Sequence, residues 1–310
     1  MLLDRRVESN GRKSIKPKVS VIVTDLDNTL FDWFESWFQS FSAMLKHLVR
    51  KSGVPREQLI GEIKEVHEKH RTSEYAFVIQ ELPSLQRKLS GEDLAKVYDD
   101  AIHAYRKARK EYLRLYPSVM DTLLEIKGRG CIIIGYTESM GFYTNDRIRR
   151  LNIDGVLDIV YSPEDHELPP NMTLEQIRRY PKEHYELNKT EHRYTPKGEL
   201  KPNPQLLLEI INDIGVSVGN AIYVGDSLMK DISMAQQAGV VDVFASYGTA
   251  HKKEEYELLR QVTHWTREDV EREKQLSASD VAPTFVLKRG FSEILELFCF
   301  IPYGGRSEHS

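Results

Sequence analysis

Cysteine is nearly missing from this chain: Cys131 and Cys299 are the only two in 310 residues. That excludes a disulfide framework and a zinc site built on cysteine. Both thiols lie among apolar neighbours and read as core residues. Long apolar runs are missing too. None approaches the roughly 20 residues of a membrane span, and the opening stretch MLLDRRVESNGRKSIKPK has no apolar centre of the kind a secretion signal needs. Nor does one sign of charge dominate. The 43 basic and 47 acidic residues leave a net charge of −4, without the basic excess that broad nucleic-acid binding requires. No internal repeat is present. These absences predict a soluble, cytoplasmic protein with no membrane and no nucleic-acid partner, and they leave the oligomeric state open. Residues 1–18 and 303–310 are polar and read as flexible tails.

The chain holds 40% hydrophobic residues, enough for one large domain with an insert or for two domains. Its organising stretch is VSVIVTDLDNT, Val19 to Thr29. Val19, Val21, Ile22 and Val23 are a β-branched run suited to a buried strand. The run ends in Asp25-Leu26-Asp27-Asn28. Two carboxylates one residue apart project to one side of an extended backbone, and ligands of open α/β sheets gather at the carboxyl ends of strands. Taken alone, the motif also suits a turn in which Asp and Asn bond their own backbone.

Downstream, Phe34, Trp37, Phe38, Phe41, Leu45 and Leu48 recur at spacings of three and four, which predicts an amphipathic helix ended by Gly53-Val54-Pro55. Residues 56–71, 73–82 and 90–115 also read as helical, with no strand signal between 31 and 115. In this block Arg71, His70 and Lys88 read as solvated charges rather than substrate contacts. Apolar strands and helices then alternate: a helix after Pro117, strand 131–137, helix 141–151, strand 157–161, helix 203–214, strand 221–224, helix 228–238, strand 241–245, strand 284–287 and helix 291–299. That alternation predicts a parallel sheet. Two polar stretches break the rhythm, 162–200 and a helical 251–276. Both are longer than a crossover needs.

Three further sites fall at strand ends or helix starts. Thr137 closes the second strand, Lys201 precedes Pro202-Asn203-Pro204, and GDSLMKD, Gly225 to Asp231, follows the strand Ile222-Tyr223-Val224. DxD, a strand-end Thr, a Lys and GDxxxxD, in this order, resemble the four motifs of the haloacid dehalogenase superfamily. Physically the set suits phosphoryl transfer. A carboxylate can attack phosphorus, a hard cation with oxygen ligands and a lysine can neutralise charge, and a threonine can donate to a phosphoryl oxygen.

The resemblance implies an α/β fold, a Rossmann-like doubly wound parallel sheet formed by 19–30 and 116–300, with residues 31–115 inserted as a helical C1 cap. It implies a Mg²⁺-dependent phosphatase acting on a small phosphorylated molecule. Asp25 is then the nucleophile, and Asp27 the general acid and later base, with Thr137 and Lys201 binding the phosphoryl group. Asp25, the Asp27 main chain, Asp226 and Asp231 are then the metal-binding set, Asp226 as a direct ligand and Asp231 through water or as support from behind. A phosphomutase using the same residues and a non-catalytic regulatory protein on the same scaffold are the alternatives. The presence of an acid at position 27 points away from dehalogenation.

Overall fold

The computed structural model describes residues 16–165, 168, 173, 180–249, 253, 255–265 and 281–304. The expected tails at 1–15 and 305–310, and much of the stretches 166–179 and 250–280, lie outside the described residues. The strands are β1 (Lys18–Val19), β2 (Val21–Thr24), β3 (Ile132–Tyr136), β4 (Ile159–Ser162), β5 (Glu191–Tyr194), β6 (Ala221–Gly225), β7 (Val241–Ala245), β8 (Phe285–Leu287) and β9 (Cys299–Phe300). β2 to β8 form one parallel sheet in the order β5-β4-β3-β2-β6-β7-β8. β2 lies between β3 and β6, so the chain runs outward on both sides of it. Such a switch point leaves a crevice at the strands' carboxyl ends. Register is shared: Thr24 faces Gly135 on one side and Val224 on the other, which puts Asp25 just beyond the rim.

Alternate side chains of β2 serve opposite faces. Ile22 joins Ile133, Val160, Leu123 and Ile148 in one apolar layer, while Val21 and Val23 join Ile134, Leu207 and Ile210 in the other. The crossover helices covering the sheet include α7 (Val119–Gly128), α8 (Gly141–Arg150), α9 (Pro204–Asp213) and α10 (Ser233–Gln237).

Between β2 and α7 the chain is helical: α1 (Trp33–Ser52), α2 (Arg56–His70), α3 (Val78–Glu81), α4 (Pro83–Lys88), α5 (Leu94–Val97) and α6 (Asp99–Tyr112). Asp32 caps α1 by accepting from Glu35 N at 2.9 Å, and Gly53 ends it in the left-handed region. The apolar stripe of α1 lies in a cluster of its own, with Leu59, Ile63 and Tyr98. α11 (Tyr256–Val262) comes from the second polar stretch, and its Tyr256, Leu259 and Val262 complete that cluster.

Several expectations are corrected. The stretch 162–200 contains β5, an edge strand. Its sequence EHRY is half solvated, so it carries no apolar signal. The helix expected over 73–82 is confined to α3, and the one over 90–115 breaks at Tyr98 into α5 and α6. The helix expected over 228–238 opens with a π turn, Leu228–Ile232. The final helix, expected to reach 299, is a 3₁₀ turn and a short α12 (Ile294–Leu297) followed by β9. β9 pairs with β1, so Lys18 belongs to a strand and not to a tail. Cys299 is exposed on β9, whereas Cys131 is buried as expected. Successive residues of a strand point to opposite sides, and on β9 the buried side belongs to Phe300.

Candidate active site

Asp25 leaves β2 with its N–H donating to Val224 O at 2.8 Å, so its backbone continues the ladder with β6. Thr29 Oγ1 donates to its Oδ2 at 3.1 Å, and Lys201 Nζ to its Oδ1 at 2.6 Å. The same ammonium reaches Asp231 Oδ1 at 3.0 Å. It lies 4.9 Å from the Tyr136 ring centre and 5.5 Å from that of Tyr223. Burial works against the Lys201 charge, but Asp231 and Asp25 outweigh it and hold its pKa well above the ordinary value. Burial pushes the Asp25 carboxyl up to about 7 against the pull of Lys201, with Asp231 and Asp27 adding to the rise.

Asp226 follows β6 and is half-buried. Burial, then the like charges of Asp25 and Asp231, raise its pKa well above the carboxylate range. Among the described residues no protein donor bonds its carboxylate. Oxygens of Asp25, Asp226 and Asp231 all lie within 4.8 Å of one another. Three converging carboxylates offset by one buried ammonium suit a hard cation with oxygen ligands. Asp231 is the least open of the three, since Tyr223 OH donates to its Oδ1 at 2.8 Å and Ser227 N to its Oδ2 at 3.1 Å. The π turn that carries Asp231 brings it back beneath Gly225, where any Cβ would collide with the Asp231 side chain.

Asp27 faces the other way along the rim. Ser139 Oγ donates to its Oδ2 at 2.6 Å, Thr137 Oγ1 to the same oxygen at 3.3 Å, and Arg147 Nη1 to its Oδ1 at 3.1 Å. Burial raises the Asp27 pKa and Arg147 opposes the rise. The structure therefore brings all six residues singled out in the sequence, Asp25, Asp27, Thr137, Lys201, Asp226 and Asp231, to one end of the sheet.

It also adds residues that the sequence did not single out. Glu138 accepts from Lys201 N at 2.9 Å and from Lys230 Nζ at 2.5 Å, tying the lysine loop to the rim. Arg147 is buried on α8, and Glu74, from the segment between α2 and α3, accepts from it. Ser139 alone had a sequence signal, since it lies two residues beyond Thr137. Of the charges in the helical block, His70 pairs with Glu81 and Lys88 with the Ser52 carbonyl, and Arg71 is exposed; Glu74 is the carboxylate that meets this end of the sheet.

A family model described as haloacid dehalogenase-like hydrolase matches residues 19–239, and a second, HAD-hydrolase-like model matches residues 200–289. The chain is 23% identical over 228 residues to a glyceraldehyde 3-phosphate phosphatase of Methanopyrus kandleri, covering 73% of this chain and 83% of the relative. It is 25% identical over 239 residues to a glyceraldehyde 3-phosphate phosphatase of Pyrococcus furiosus, covering 74% and 82%. Among solved structures, a 2-haloacid dehalogenase from Pseudomonas syringae superposes with a TM-score of 0.53 at 19% identity, covering 90% of this chain and 97% of the other. A HAD phosphatase from Thermococcus onnurineus does so with a TM-score of 0.53 at 17% identity, covering 92% and 100%. These two likenesses speak for the fold alone.

Proposed function

We propose, for a chain that belongs to the haloacid dehalogenase-like hydrolases, a phosphatase that hydrolyses a small phosphate monoester through a phosphorylated Asp25. The observation that carries this reading is the Asp25 carboxylate at the switch point, held 2.6 Å from Lys201 and followed two residues later by a second carboxylate. In the first step an Asp25 oxygen forms a bond to phosphorus, the bond to the ester oxygen breaks, and Asp27 gives that oxygen its proton. In the second, Asp27 takes a proton from water, the water oxygen attacks phosphorus, and the bond to Asp25 breaks. Inorganic phosphate leaves and both carboxyl groups return to their starting states. Lys201 and the Thr137 hydroxyl hold phosphoryl oxygens as charge moves onto them.

Asp25, the Asp27 main-chain carbonyl and Asp226 would hold Mg²⁺, with Asp231 supporting from behind. When bound, the cation neutralises charge on the phosphoryl oxygens. Residues 31–115 act as a cap that excludes water over the rim. The activity named for the Methanopyrus and Pyrococcus relatives makes glyceraldehyde 3-phosphate the first alkyl phosphate to test.

The test is phosphate release from 4-nitrophenyl phosphate and from a panel of phosphorylated metabolites headed by glyceraldehyde 3-phosphate. Each is run with Mg²⁺ and with a chelator. Hydrolysis that needs the cation is expected. Equal turnover in both arms sinks the metal assignment, and no phosphate release from any ester sinks the phosphatase.

A further inference from the structure

Arg147 has only 4% of its surface exposed and binds carboxylates from two parts of the chain. Its Nη2 meets both oxygens of Glu74 at 2.6 Å. Its Nη1 meets Asp27 Oδ1 at 3.1 Å and Ser139 Oγ at 2.6 Å, and that hydroxyl itself donates to Asp27 Oδ2. Glu74 is fixed from behind by Trp33 Nε1, which donates to its Oε2 at 3.1 Å.

A planar guanidinium prefers to grip a carboxylate with two parallel N–H groups. With Glu74 on Nη2, Asp27 receives a single, longer contact from Nη1, and its other oxygen stays with Ser139 and Thr137. Removing the Glu74 charge frees Nη2 to close on Asp27 as the second arm of a fork. The nearest carboxylate to receive it is the proposed proton donor, which would then be turned toward α8 and away from the ester oxygen.

Glu74 reaches Arg147 only while the helical block is seated on the core. A second, half-buried pair on the preceding residue of α8, Arg109 Nη2 to Asp146 Oδ2 at 3.3 Å, spans the same seam.

We propose that Glu74 is a positioning residue. By occupying Arg147 it leaves Asp27 aimed at the leaving oxygen, so that the proton donor is assembled only when the helical block is in place. This rests on the general-acid role of Asp27 proposed above.

The experiment separates leaving groups. 4-Nitrophenolate departs with little protonation, whereas an alkoxide needs a proton. Leaving-group release in a single turnover, with enzyme in excess, is measured for 4-nitrophenyl phosphate and for glyceraldehyde 3-phosphate, or the alkyl ester ranking first in the panel, in wild type, Glu74→Gln and Asp27→Asn. This isolates the step in which Asp27 gives its proton from the later one in which it takes a proton from water. Steady-state KM is recorded alongside. General acid help is typically worth about 10²–10⁴-fold. Glu74→Gln keeps the side chain's size and is expected to slow the alkyl ester about tenfold and the aryl ester less than twofold, without a matching change in KM. In Glu74→Gln/Arg147→Met, which lacks the closing arm, the alkyl rate should recover at least in part. Equal slowing of both esters, or of neither, overturns the positioning role, as does an alkyl rate that stays down in a folded double variant. Asp27→Asn must show the split at full size. If it does not, the general-acid reading fails, and the role of Glu74 with it. If it does while Glu74→Gln shows none, the role of Glu74 alone fails.

Discussion

Asp25 and Asp27 are two residues apart, yet they sit in different surroundings. Asp25 is bonded to a lysine and a threonine, Asp27 to an arginine and two hydroxyls. Their amides should therefore fail differently. Asp25→Asn removes the oxygen proposed to attack, so no phosphate should be found on the chain. Asp27→Asn keeps the nucleophile, and with 4-nitrophenyl phosphate it should accumulate a covalent phosphate visible by intact mass after quenching. Turnover is expected to fall about 10²–10⁴-fold in Asp27→Asn with an alkyl ester. Covalent phosphate on Asp25→Asn would sink the nucleophile assignment. Lys201 gives a second test. It is the buried cation between Asp25 and Asp231, and breaking such a pair leaves uncompensated charge worth about 3–5 kcal/mol. In metal-free buffer, Lys201→Met should lower denaturant stability by that order, and adding Asp25→Asn should recover part of it. Strictly additive losses would mean the two groups do not interact.

At the scale of elements, α11 decides how the helical block is held. His67 Nδ1, on α2, donates to the Val262 carbonyl at 2.7 Å, and Ser73 Oγ lies 3.1 Å from Thr263 Oγ1. Lys253 Nζ pairs with Asp32 at 2.9 Å. A segment that departs from the core strands thus clasps the block. His67 is almost fully enclosed, and burial pushes its imidazole down to about 4. Because the folded state resists protonation more than the unfolded chain does, this contact is at full strength above the ordinary histidine value. It weakens as pH falls from about 6.5 toward 4, by about 3 kcal/mol at most. The buried carboxylates near Asp25 have raised values and shift stability in the opposite sense over the same range, so a difference measurement is needed. His67→Asn keeps a donor for Val262 and does not titrate. The gap in melting temperature between wild type and this variant should change between pH 7 and pH 4.5, in favour of the variant at low pH. A constant gap would show that His67 does not titrate at this seam.

At the scale of the whole molecule, two apolar units meet near one end of the sheet: the sheet itself with apolar layers on both faces, and a helical block with a separate cluster that includes α11. If residues 31–115 are a lid, α11 should travel with them, since its apolar side is buried among theirs. The ion pairs Glu74–Arg147 and Arg109–Asp146 would open and close with the seam. Small-angle scattering with Mg²⁺ and a phosphoryl mimic such as orthovanadate should give a smaller mean radius than the unliganded protein. Identical radii in both states would rule out a moving lid.

The family, the parallel α/β class and the placement of six chemistry-bearing residues at strand ends or helix starts were all legible in the sequence. Each of these is a local matter. A β-branched run commits to a strand within a few residues, its last residue fixes where the next side chain emerges, and GDSLMKD carries its own turn. Tertiary structure alone decided the rest. β5 gains its place from pairing with β4 at an edge, since the solvated sequence EHRY has no apolar rhythm to announce it. Cys299 is turned outward because β9 meets β1, a contact between opposite ends of the chain. Arg147 reads in sequence like Arg149 and Arg150 in the same basic helix end. It differs because Asp27 and Glu74 are brought to it across 120 and 73 positions of the chain. Charge complementarity in a buried place depends on which backbones meet there, and that meeting follows from the packing of the whole chain rather than from the residues beside each charge.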